Sequence, residues 1–110
     1  MPLSEKARIE VYIPDLPQQT YQNLLNALAQ EFTYTFGGST IIRGLDGNYL
    51  SRRGLQIQDR VHLIYTDTPF AFKENFERLS RYTEALKDAT FDALEEEAIL
   101  IVVLKVYHAE

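Results

Sequence analysis

Arg8-Ile9-Glu10-Val11-Tyr12-Ile13-Pro14-Asp15-Leu16-Pro17 is the stretch on which the fold turns. Ile9, Val11 and Ile13 fall on one side of a two-residue period, and Arg8, Glu10 and Tyr12 on the other. That alternation is the mark of a half-buried strand. Pro14 and Pro17 stop it, since proline cannot donate to a ladder. From Gln18 the period changes: Tyr21, Leu24, Leu25, Leu28 and Phe32 recur at helical spacing. Pro17 suits the first turn of this helix, where no N–H is required. Gly37-Gly38 ends it by supplying the positive φ of a C-terminal cap.

Working outward, Ser39 to Arg43 is a strand by its β-branched Thr40, Ile41 and Ile42. Gly44-Leu45-Asp46-Gly47 reads as a turn before a short Asn48-Tyr49-Leu50 strand. Ser51-Arg52-Arg53-Gly54 is a second turn. Leu55 to Gln58 pairs back, and Arg60 to Thr66 continues as a firm strand. Thr68 and Pro69 suit a helix entry. The second helix carries an apolar stripe of Phe72, Phe76, Leu79, Tyr82, Leu86, Ala89 and Ala93, with Glu74→Arg78 and Glu77→Arg81 pairs on its outer face. Glu95-Glu96-Glu97 is expected as a solvated loop, because acids at a helix C-terminus oppose the macrodipole. Ala98 to Val106 is a last strand, apolar on both faces.

The order β-α-β-(hairpin)-β-α-β is that of an α+β, ferredoxin-like (split βαβ) two-layer sandwich, with two helices on one face of an antiparallel sheet. The 110 residues, with 45% apolar and 25% charged, fit a single domain over 1–110 with one real core. No apolar run approaches the roughly 20 residues of a membrane-spanning helix, and the N-terminus lacks the apolar core of a signal peptide. The expectation is a cytoplasmic protein without membrane contact. A formal net charge of −5 argues against nucleic acid as a partner.

Two helices cover one face of a four-stranded sheet and leave the other for water, a ligand or another chain. Alternation puts Glu10, Tyr12, Arg43, Ile41, His62, Ile64, Ile99, Ile101, Val103 and Lys105 on that open face. An apolar patch of this kind predicts a homodimer, through the sheet face or an edge strand. Tyr12, Arg43, His62 and Lys105 are then the candidate catalytic group: the histidine for acid–base work, the arginine to clamp an anion, the tyrosine to orient either. The competing reading is that they rim a subunit interface, where Tyr and Arg are common. Arg52-Arg53 with Arg43 and Arg60 makes one region basic, while residues 74–97 hold eight acids against three bases. Gly37-Gly38-Ser39-Thr40 follows a helix and precedes a strand, the reverse of a phosphate-binding loop. With two histidines and no cysteine, no metal-ligand spacing exists, and neither metal nor cofactor is expected.

Phe36-Gly37-Gly38-Ser39-Thr40-Ile41-Ile42, Gly44, Gly47-x-Tyr49, Gly54, Asp59 and Tyr65-Thr66-Asp67-Thr68-Pro69 resemble a family of small uncharacterised bacterial proteins, notably cyanobacterial ones. The family has no assigned activity, so the resemblance implies a shared fold and no chemistry. It makes Tyr49, the aromatic after the Gly47 position, a candidate for lining a ligand pocket. The resulting expectation is a small homodimeric domain that binds a small molecule or a protein partner. Two alternatives stand beside it: a cofactor-independent oxygenase or isomerase of the dimeric α+β-barrel kind, and an interaction protein using its acidic helix.

Overall fold

The structure, a computed structural model, describes residues 2–50, 52–94 and 99–110. Ser51, Glu95-Glu96-Glu97 with its expected loop, and the Tyr49 side chain lie outside the described part. The elements are β1 (Leu3–Pro14), α1 (Gln19–Phe36), β2 (Thr40–Leu50), β3 (Gln56–Asp67), α2 (Phe76–Leu94) and β4 (Leu100–Ala109). They form one antiparallel sheet in the order β2-β3-β1-β4 with the helices on one side, the ferredoxin-like α+β plan.

Burial follows the alternation of β1. Ala7, Ile9, Val11 and Ile13 are buried beneath the helices, and from α1 they meet Tyr21, Leu24, Leu25, Leu28 and Phe32. These are the five residues of the expected α1 stripe. Gly37 ends α1 with φ 97°, and its N–H donates to the Thr33 carbonyl at 2.9 Å, a left-handed cap that a side chain would strain.

Four elements depart from the sequence reading. β2 is one strand rather than a strand, turn and strand, because the expected turn at Gly44 is a bulge between Ile42 and Leu45. Gly44 has φ 69°, and a Cβ there would meet the Arg60 guanidinium at 2.5 Å. α2 begins at Phe76 rather than near Thr68. The Thr68 hydroxyl accepts from the Phe70 N–H at 3.3 Å, and the Phe72 N–H donates to the Glu5 carboxylate at 2.8 Å. Residues 68–75 are thereby tied to β1 before the helix starts. β1 and β4 also run further than expected and pair from Leu3↔Ala109 to Tyr12↔Leu100.

The β2–β3 hairpin outruns the sheet. Pairing of β1 with β3 stops at Pro14↔Val61, while β2 and β3 stay paired to Leu50↔Gln56. At about 3.3 Å per residue, the arm beyond Val61 projects roughly 16 Å. It exposes Leu50, Leu55 and Ile57.

Candidate functional site

Directly paired residues on neighbouring strands point to the same side of a sheet. Register therefore assigns every strand residue to a face. With Ile9 beneath the helices, its partners Thr66 and Val103 are beneath them too. The same holds for His62 opposite Ile13, Ile64 opposite Val11, and Ile41 opposite Ile64. The open face then carries Arg8, Glu10 and Tyr12 from β1, and Leu63, Tyr65 and Asp67 from β3. Ile42 and Leu45 come from β2, and Leu100, Val102, Leu104, Val106 and His108 from β4.

This corrects the expected phase of two strands and of Ile41. β1 is placed as expected, with Glu10 and Tyr12 on the open face. Ile41, His62, Ile64, Ile101, Val103 and Lys105 are on the helix side instead. Ile99, Ile101 and Val103 pack against the core. β4 is apolar on both sides, so its sequence does not distinguish the strand from its one-residue slip, while β3 turns the polar His62 and Thr66 to the buried side, against the usual alternation.

The open face holds a built polar group. Arg8 donates from Nε to Asp67 Oδ1 at 2.6 Å and from Nη2 to Asp67 Oδ2 at 3.0 Å, a bidentate pair. His108 Nε2 lies 2.7 Å from the same Oδ2. The Arg8 guanidinium also stacks 4.2 Å above the Tyr65 ring. These are partly buried charges: the Arg8 and Asp67 side chains are 27% and 17% exposed. The Arg8 hydrogen bonds, helped by His108 and opposed by partial burial, hold the Asp67 carboxyl below its usual range. Beside them the Tyr12 hydroxyl donates to Glu10 at 2.9 Å, and that bond pushes the tyrosine's pKa upward.

His62 serves a different place. Its ring is buried, with Nδ1 accepting from the Gly44 N–H at 3.1 Å and Nε2 at 3.1 Å from Asp15 Oδ1. An accepting Nδ1 places the neutral ring's proton on Nε2, where it donates to Asp15. Both nitrogens are thus engaged in holding the β2 bulge to the β1–α1 connection. Asp15 also lines a polar cleft of about 520 Å³ with Asp46, Asn48, Gln58, Asp59 and Arg60.

The four sequence candidates consequently do not converge. Tyr12 is on the open face and His62 on the opposite one. Lys105 is exposed opposite Ala7, six β1 residues or about 20 Å from the His62 row. Arg43 lies exposed in the bulge beside Gly44. The group that does converge, Arg8 with Tyr65, Asp67 and His108, has no signature in the sequence. Asp67 lies 59 residues from Arg8 and 41 from His108. The hint in the sequence was limited to Asp67 and His108, which stand at the ends of β3 and β4. Among the described residues no three His, Asp or Glu side chains are arranged to hold a metal ion. No described helix is long and apolar enough to cross a membrane.

The fold has solved counterparts. The divalent cation tolerance protein CutA1 from Thermus thermophilus superposes with a TM-score of 0.56 at 18% identity, covering 96% of this chain and 87% of that one. A phage SAM lyase in complex with S-methyl-5'-thioadenosine gives 0.55 at 12% identity, over 94% and 90%. A nitrogen regulatory PII-like protein from Thiomonas intermedia, bound to ADP, AMP and bicarbonate, gives 0.52 at 15%, over 99% and 100%. At these identities the likeness is one of fold. No family model and no curated protein matches the chain.

Proposed function

We propose that the chain is a small binding domain that forms a homodimer through the open face of its sheet. The observation that supports this reading is a pair of apolar patches on a face that no described helix covers, Ile42 and Leu45 from β2 and Val102, Leu104 and Val106 from β4, lying on either side of the polar β1 residues Arg8, Glu10 and Tyr12. The strands are staggered, so that all four run abreast only from Glu10 to Tyr12, and strands of ten to twelve residues give each face of the sheet roughly 700 Å² at about 3.3 Å per residue and 4.8 Å between strands. A standard interface takes about 800 Å² from each partner, and the arm extends the same face with Ile57. A monomer would leave both patches in water. A twofold arrangement makes the face its own partner. The Arg8–Asp67 pair, with Glu10 and Tyr12 beside it, then forms a polar strip between the two patches, a device that sets register more than affinity.

The ligand in this reading is a small molecule or a protein partner, met in the cytoplasm. Two of the structures of similar fold hold adenosine-containing molecules. ADP, AMP and S-methyl-5'-thioadenosine are accordingly the first small molecules to offer. Native mass spectrometry of the gently purified protein, alone and with each compound, tests both halves. A dimer that retains a discrete added mass supports the reading. A monomer at every concentration removes the interface, and a bare dimer indifferent to all three compounds removes the adenosine class.

A further inference from the structure

The helical layer, on the far side of the molecule from the open sheet face, has a surface of its own. Between α1 and α2 runs a groove of about 510 Å³. Leu24, Leu28 and Leu86 form its walls, and Ala27, Ala85, Ala89 and Ala93 line its open part. The four alanines are exposed, so nothing larger than a methyl group separates their helices from an incoming chain. From Tyr82 to Ala93 the groove is about 16 Å long at about 1.5 Å per residue, three helical turns. That shape suits a docked helix better than a small ligand, which needs most of its surface enclosed.

Charge is distributed unevenly along it. At one end Glu31 lines the groove, its carboxylate accepting from the Tyr82 hydroxyl at 2.7 Å and from the Thr35 hydroxyl at 2.7 Å. The Thr35 bond first, then that of Tyr82, holds the Glu31 pKa below the usual carboxylate range. Among the described residues no cation pairs with it. Towards the other end, Asp88 and Asp92 lie three residues beyond Ala85 and Ala89, the next row outward on α2. Arg78 and Arg81 are exposed cations at the start of that side of α2. The groove therefore presents an apolar floor with an unpaired carboxylate at one end and two exposed carboxylates flanking the other.

We infer that the α1–α2 groove is a docking site for a basic amphipathic helix of a partner protein. The partner places apolar side chains at i, i+3 and i+7 between the alanines and lysine or arginine against Glu31, Asp88 and Asp92. Its side chains pack where the methyl groups leave room, and its cations meet the acids on both ends. This surface is separate from the dimer interface, and its success or failure is independent of that reading.

The probe is a fluorescein-labelled helical peptide of about 14 residues, long enough to cover three turns, with leucines at the i, i+3 and i+7 positions and flanking lysines. A matched peptide has glutamates for the lysines. Fluorescence anisotropy should show saturable binding of the lysine peptide alone. Ala89→Trp, an exposed position that leaves charge unchanged, should weaken it by about tenfold or more, equivalent to about 1.4 kcal/mol. Glu31→Gln should weaken it by about threefold, the scale of one partly exposed ion pair. Ala85→Leu serves as a second groove-filling variant should circular dichroism show that Ala89→Trp has lost helix. Absence of saturable binding, equal binding of the glutamate peptide, or indifference to both groove-filling changes overturns the proposal. So does a change of oligomeric state in Ala89→Trp, which would make a second copy of this chain the occupant.

Discussion

The sheet has two faces built from the same strands, and the residues on them differ less than their fates do. On β4, Ile101 and Val103 point to the helices, while Val102, Leu104 and Val106 point away. Both sets are branched aliphatics. On β1 the faces diverge sharply, with Ala7, Ile9, Val11 and Ile13 against Lys6, Arg8, Glu10 and Tyr12. β1 thus declares its orientation in sequence, whereas the edge strand β4 does not. Apolarity on both faces of an edge strand is a sign that both faces are covered, one by helices and the other, on the reading proposed here, by a second subunit.

Substitutions that treat the faces differently separate core from interface. Phe32→Ala empties the largest fully buried side chain of the helix side and should cost about 3–5 kcal/mol in urea denaturation. A cost under about 1 kcal/mol would mean that the site collapses around the cavity. Gly44→Ala forces a side chain into φ 69° and against Arg60, and should cost about 1–3 kcal/mol. The loss should concentrate at the bulge that His62 holds, seen as faster hydrogen exchange at the Gly44 amide.

Asp67→Asn removes the charge from the open-face cluster and should cost about 1–2 kcal/mol, reduced from a buried pair by solvent at both side chains. The same group fixes a pH dependence. The folded-state pKa of Asp67 lies below its unfolded value, so the native state binds fewer protons there. Its contribution is complete above about pH 5 and disappears as pH falls through the lowered value. Thermal melts of wild type and Asp67→Asn should accordingly converge at low pH. A difference that persists undiminished at pH 2 would assign the effect to packing.

Legibility in the sequence followed the same division. Tyr21, Leu24, Leu25, Leu28 and Phe32 were readable because one face of α1 is buried and the other is wet, which gives the period a contrast. The phase of β4 was not readable, since alternation carries no information when both faces are apolar, and that of β3 was hidden because the polar His62 and Thr66 are the buried ones. The start of α2 was masked by Thr68-Pro69, an apparent cap whose hydroxyl instead accepts from the Phe70 N–H. Arg8, Asp67 and His108 could not be grouped beforehand, because only the register of β1 against both β3 and β4 brings them together.

The smallest expected change in stability belongs to the most direct test. Val102→Lys with Leu104→Lys alters only the open face, beside Glu10 and Arg8, and should leave the monomer's fold intact by circular dichroism. Sedimentation equilibrium of this variant beside wild type measures the association itself. The account predicts a wild-type dimer and a folded monomeric variant. A variant that sediments as wild type does, at the same concentrations, would contradict the assignment of the open face as the interface.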